Sequence, residues 1–133
     1  GRRGCWETYA SATALIRQAQ QAAAEHPESL LAQVKEITGL AVFQSADKGD
    51  RVAQAVIDRY CVYVAAGFTD LVNSLAPEMI LLGGGISRQG ERILAPIREY
   101  VTNNCFGQKD GAIPVIKAAA LGNEAGIIGA AAL

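Results

Sequence analysis

Apolar residues recur at helical spacing along most of this chain, and where that period fails, glycine and proline mark the breaks. The longest stripe runs through Val52, Val56, Tyr60, Val64, Phe68 and Val72, widened by Ala53, Ile57, Leu71 and Leu75. It predicts a largely buried helix over 51–75, with Asp50 as its N-cap and Pro77 beyond its end. An alanine-rich stretch predicts a first helix over 7–25, ending before His26-Pro27. Leu30, Leu31, Val34 and Ile37 predict a short helix over 28–37 that Thr38-Gly39 stops. Val42 and Phe43 then lie in a stretch without an assigned element.

The C-terminal part changes period. Met79–Leu82 is a short apolar run closed by Gly83-Gly84-Gly85, which reads as a buried parallel strand. Ser87 is the expected N-cap of the next helix, which carries Ile93, Leu94, Ile97 and Val101 with a kink at Pro96. Asp110-Gly111 reads as a turn, 113–117 as a second strand, and Asn123 as the cap of a last helix over 124–133. Strand, glycine loop, helix, strand, helix is an α/β crossover. Two strands are too few for a sheet covered by so many helices, so further strands are expected before Gly1.

Composition narrows the class. The 133 residues fit one domain, 1–133, half of them hydrophobic, with a net charge of −1. That charge gives no reason to expect nucleic acid or an anionic membrane as partner. No apolar run approaches the roughly 20 residues that span a bilayer. Cys5, Cys61 and Cys105 are odd in number and widely spaced, which argues against a disulfide framework and for a reducing cytoplasm.

A few residues carry candidate chemistry. Gly83, Gly84 and Gly85 either make a tight strand-to-helix turn or let a phosphate approach the backbone and the N–H groups of the next helix. Glu7, in the first turn of the first helix, either complements the helix dipole or accepts hydrogen bonds from the donors of a ligand. Cys5 alone reads as a small hydrophobe, and Cys61 and Cys105 as structural. His26 reads as an exposed or capping residue, Arg2 and Arg3 as a solvated loop, and Asp47, Asp50 and Asp58 as capping and surface residues. Trp6 and Tyr9 are expected against a neighbouring helix or subunit. Gly67 either permits close helix packing or admits an adenine ring.

The opening Gly1-Arg2-Arg3-Gly4-Cys5-Trp6-Glu7 resembles the second half of C-x-C-G-x-x-G-C-x-E, the pattern of the ROK family of sugar kinases and sugar-responsive repressors. In that comparison Cys5 is the third cysteine and Glu7 the closing acid. Four more segments resemble the family in order: Tyr9-Ala10-Ser11-Ala12-Thr13-Ala14-Leu15; Val42-Phe43 with Ala46-Asp47-Lys48-Gly49-Asp50; the strand and glycine loop from Leu75 to Ser87; and Leu121–Ala131 against LG-x-x-AG-x-x-GAA.

The resemblance implies an actin-like ATPase fold of the ribonuclease H-like α/β class, of which this chain is the helix-rich C-terminal part with a partial parallel sheet. It implies an ATP- and magnesium-dependent hexose kinase, with glucose as first substrate and a homodimer as its assembly. Glu7 would bind the sugar, and Gly83, Gly84 and Gly85 would line the nucleotide site. Cys5 would be one ligand of a structural zinc whose other ligands lie upstream, so the metal site is incomplete here. The catalytic aspartate is expected upstream of Gly1, leaving this chain without a general base and inactive on its own. The alternative is the sugar-sensing part of a ROK-type repressor, whose DNA-binding segment would precede Gly1.

Overall fold

The computed structural model describes residues 4–106, 113–121 and 125–131. The chain divides into two compact units, residues 1–64 and 65–133. The helix Arg51–Leu75 contributes residues to each.

The first unit is helical. The predicted helix over 7–25 is two helices, α1 (Glu7–Ala10) and α2 (Ala12–Glu25). Ser11 divides them: its backbone is extended, and its hydroxyl accepts the Ala14 N–H at 3.1 Å, capping α2. Capping chemistry here overrides the helix preference of the alanines around it. The predicted helix over 28–37 is reduced to a single 3-10 turn, Leu30–Gln33, with Val34 already extended. The Leu31 N–H is taken by the Ser29 hydroxyl and the Asp50 carboxylate rather than by a helical carbonyl.

Thr38-Gly39, read as a stop, is a start. Thr38 caps α3 (Gly39–Asp47) through Ala41, and this helix buries Val42, Phe43 and Ser45. Its end is a Schellman motif, with Gly49 N–H bonded to Ala46 O at 2.9 Å and Asp50 N–H to Ser45 O at 3.1 Å. Gly49 sits at φ +89, where a side chain would strain the backbone. The Asp50 carboxylate then caps α4 (Arg51–Leu75), accepting from Val52 at 2.9 Å. One residue thus closes α3 and opens α4. Ala14, Leu15, Ala19, Leu31, Val42, Phe43, Ala53, Ile57 and Cys61 are buried in this unit's core.

The second unit holds a two-stranded parallel sheet, β1 (Met79–Leu82) and β2 (Val115–Ala118), with Met79 opposite Val115 and Leu82 opposite Ala118. Between them run a 3-10 turn, Gly85–Gln89, and α5 (Glu91–Asn104), which contains Pro96. A last helix, α6, spans Ala125–Ala131. Phe68, Val72, Ile93, Leu94, Ile97, Val101 and Ile116 are among this unit's buried apolar residues. Arg98 ties α5 to β2, its Nε donating to Ile116 O at 2.8 Å while its guanidinium pairs with Glu91 at 2.6 Å.

Three expectations are corrected here. The strand over 79–82 is parallel but not buried: Met79 is 50% and Leu81 58% exposed, against 2% for Ile116. Only alternate side chains of a strand share a face, and the described residues cover one face of this sheet. The stripe of α4 also weakens at its end, with Leu75 at 71% exposure. Ser87 is not the cap of α5: it lies inside the 3-10 turn and donates its hydroxyl to Gly84 O at 2.7 Å, and Gly90 occupies the cap position. The expected turn at 110–111 and cap at Asn123 lie outside the described residues.

Candidate functional site

The candidate residues fall into two groups, one in each unit. Cys5 and Glu7 stand together at the entry to α1, where Thr8 N–H bonds back to Cys5 O at 3.0 Å. Both are exposed. The Glu7 carboxylate has no hydrogen bond or ion pair among the described residues, which leaves both oxygens open to donors from a ligand.

An isolated four-residue helix does not hold itself together in water, so α1 depends on its neighbours. Its first anchor is Trp6, whose indole N–H donates to Tyr63 O on α4 at 2.8 Å. Tyr9 stacks obliquely on the Tyr63 ring, centroids 5.4 Å apart. The expectation that Trp6 and Tyr9 meet a neighbouring helix holds, and that helix is α4.

The remaining anchors take the end of α1. A helix end leaves its last carbonyls without partners in the helix. Here Thr8 O accepts from the Arg17 guanidinium, Tyr9 O from Gln18 Nε2 at 2.9 Å, and Ala10 O from the Tyr60 hydroxyl at 2.9 Å. Burial, with a smaller contribution from Cys61 beside it, pushes the Tyr60 hydroxyl up to about 12, so it stays protonated and donates throughout the neutral range. Sequence reasoning missed this clasp. A signal for it existed: a tyrosine on a buried stripe needs a partner for its hydroxyl.

In the second unit the glycine loop comes directly after β1. Gly84 has φ +80 and ψ −179, a backbone region that is essentially glycine's own. An added Cβ at Gly83 or Gly84 would meet nothing within 4 Å. The loop is therefore open around both glycines among the described residues, and Gly84 is required by backbone shape, not by crowding. Gly85 begins the 3-10 turn, which separates the triplet from the start of α5.

The other candidates stay structural. His26 caps the end of α2 through its backbone N–H to Ala22 O and sits exposed, its Nδ1 at 3.3 Å from Glu28. Cys61 and Cys105 are buried. Asp47 and Asp58 are exposed as expected, but Asp50 is buried, at 7% exposure. Gly67 is buried within α4. As for metals, no three His, Cys, Asp or Glu side chains gather among the described residues, and exposed Cys5 supplies a single thiol, so these residues alone do not fit a zinc centre. No helix among the described residues is long and apolar enough to cross a membrane.

Known proteins resemble this arrangement along nearly its whole length. The chain is 39% identical to a glucokinase of Halalkalibacterium halodurans, over 97% of this chain and 40% of that protein. It superimposes on a ROK family glucokinase from Streptomyces griseus, solved in complex with glucose and AMPPNP, with a TM-score of 0.87 at 37% identity, covering 99% of this chain and 45% of the other. A xylose repressor of Caldicellulosiruptor bescii is 31% identical over 80% of this chain and 27% of its own length. The chain thus spans somewhat under half the length of the glucokinases it matches. Its fold is that of the ROK sugar kinases, the actin-like ATPase fold. The ROK family model matches residues 1–133, and the chain belongs to the ROK family.

Proposed function

We propose that the protein carrying this chain is an ATP-dependent hexose kinase with glucose as its first substrate. In this reading a sugar hydroxyl oxygen attacks the γ-phosphorus of ATP, the bond to the ADP oxygen breaks, and the hydroxyl proton passes to a general base. No residue of this chain is assigned as that base. Positioning and charge stabilisation carry most of such a reaction. This chain's part is to orient: the Glu7 carboxylate accepts hydrogen bonds from sugar hydroxyls, and Gly83, Gly84 and Gly85 let the nucleotide approach the backbone. Magnesium bound with ATP would neutralise charge on the phosphates, and no residue here is assigned to it.

The carrying observation is the Glu7 carboxylate, exposed and unpartnered among the described residues on a helix that its neighbours hold fixed. The likeness to a glucokinase solved with glucose and AMPPNP supports the same reading. A homodimer and a cytoplasmic location belong to the proposal as well. Light scattering and cell fractionation check them.

The test is a coupled phosphotransfer assay on the full-length protein with glucose and other hexoses, alongside the Glu7→Gln variant. The proposal expects turnover with glucose and a raised KM for glucose in the variant, since an amide loses charge and one acceptor. The likeness to a xylose repressor favours a second reading, a sugar-responsive regulator. Absence of turnover together with sugar-dependent release from DNA would establish it instead.

A further inference from the structure

Three consecutive carbonyls at the end of α1 are each held by a different side chain. Thr8 O accepts from Arg17, Tyr9 O from Gln18 and Ala10 O from Tyr60. Arg17 and Gln18 come from α2, whereas Tyr60 comes from α4, 50 residues along the chain. Together with the Trp6 bond to Tyr63, they fix both ends of a four-residue helix whose own hydrogen bonds cannot. Glu7 opens that helix, so rotation or fraying of α1 would move its carboxylate.

We propose that Tyr60, Arg17 and Gln18 are positioning residues for Glu7, setting where its carboxylate meets the sugar. This rests on the reading of Glu7 as a sugar contact. None of the three needs to touch the substrate. Tyr60 is the central member: its hydroxyl is the one donor to Ala10 O recorded among the described residues, and its ring is buried in the core beneath α1. Arg17 is exposed, so it acts on α1 without carrying the core.

The experiment is steady-state kinetics on the full-length protein for Tyr60→Phe, Arg17→Ala, Arg17→Lys and Glu7→Gln, and for Tyr60→Phe and Arg17→Ala each combined with Glu7→Gln. Losing one such hydrogen bond is expected to raise KM for glucose about fivefold, with KM for ATP unchanged and Arg17→Lys largely restoring the Arg17→Ala loss. Because the effect passes through Glu7, it should vanish in the Glu7→Gln background. Equal losses in both backgrounds would show a general structural role and overturn the proposal, as would no loss in either single variant. A Glu7→Gln protein with unchanged KM for glucose would remove the sugar-contact reading itself, and the proposal with it. Arg17→Ala, on an exposed side chain, keeps the test open should Tyr60→Phe fail to fold.

Discussion

Ser29 donates its hydroxyl to the Asp50 carboxylate at 2.5 Å, joining the 3-10 turn after α2 to the junction of α3 and α4. The same carboxylate accepts the N–H groups of Leu31 at 2.8 Å, Val52 at 2.9 Å and Ala53 at 3.4 Å. Burial on its own would raise this carboxyl's pKa. The bonds from Ser29, Leu31, Val52 and Ala53 outweigh it and hold the group below its ordinary value.

Asp50→Ala therefore removes a cap and leaves buried donors unpaired, a loss of about 2–4 kcal/mol in urea unfolding. Ser29→Ala, which removes one hydroxyl, should cost about 1 kcal/mol.

The depressed carboxyl also sets a pH dependence. A group that binds its proton less tightly when folded stabilises the protein above its unfolded value, 3.8, and that contribution fades as pH falls through the lower folded value. The stability gap between the native protein and Asp50→Asn should be full near neutral pH and shrink below about pH 4. A gap that widens on acidification would contradict the assignment.

Gly84 and Gly83 should respond differently to alanine. Neither position is crowded, but only Gly84 has a φ, +80, that alanine resists. Gly84→Ala should cost about 1–3 kcal/mol in unfolding experiments. Gly83→Ala should unfold like the native protein, which lets it test the proposed nucleotide contact of the loop without a stability change. If both variants lose stability equally, backbone shape is not what Gly84 supplies.

Cys61 should resist alkylation in the native protein. It is buried, and burial, with a smaller contribution from Asp58, pushes its thiol up to about 11. At pH 8 only about one thiol in a thousand is then the reactive thiolate. Peptide mapping after iodoacetamide treatment should find Cys61 and the buried Cys105 modified only once denaturant is added. Fast native labelling of Cys61 would contradict the packing of α4.

How far the sequence revealed this molecule depends on which physics set each element. The helix over 51–75 was legible because Val56, Tyr60, Val64, Phe68 and Val72 repeat on one face and Asp50 caps it. β1 was legible as a short apolar run closed by glycines. α3 was not, because Thr38-Gly39 can equally end a helix before it or begin one after it, and only the Thr38 bond to Ala41 decides. The break at Ser11 was hidden by strong helix formers on both sides. In the site, Glu7 and the glycines stood out through motif resemblance. The clasp on α1 did not. Tyr60 lies 50 residues from Ala10 and Tyr63 lies 57 from Trp6, and no local pattern announces a bond to a partner that distant.

The most direct measurement is a crystal structure of the full-length protein with glucose and a non-hydrolysable ATP analogue bound. The account predicts a Glu7 carboxylate oxygen within hydrogen-bond distance of a sugar hydroxyl, α1 still held by Tyr60, and the nucleotide against Gly83–Gly85. Glucose bound with no contact to Glu7, or a nucleotide seated away from the glycine loop, would contradict it.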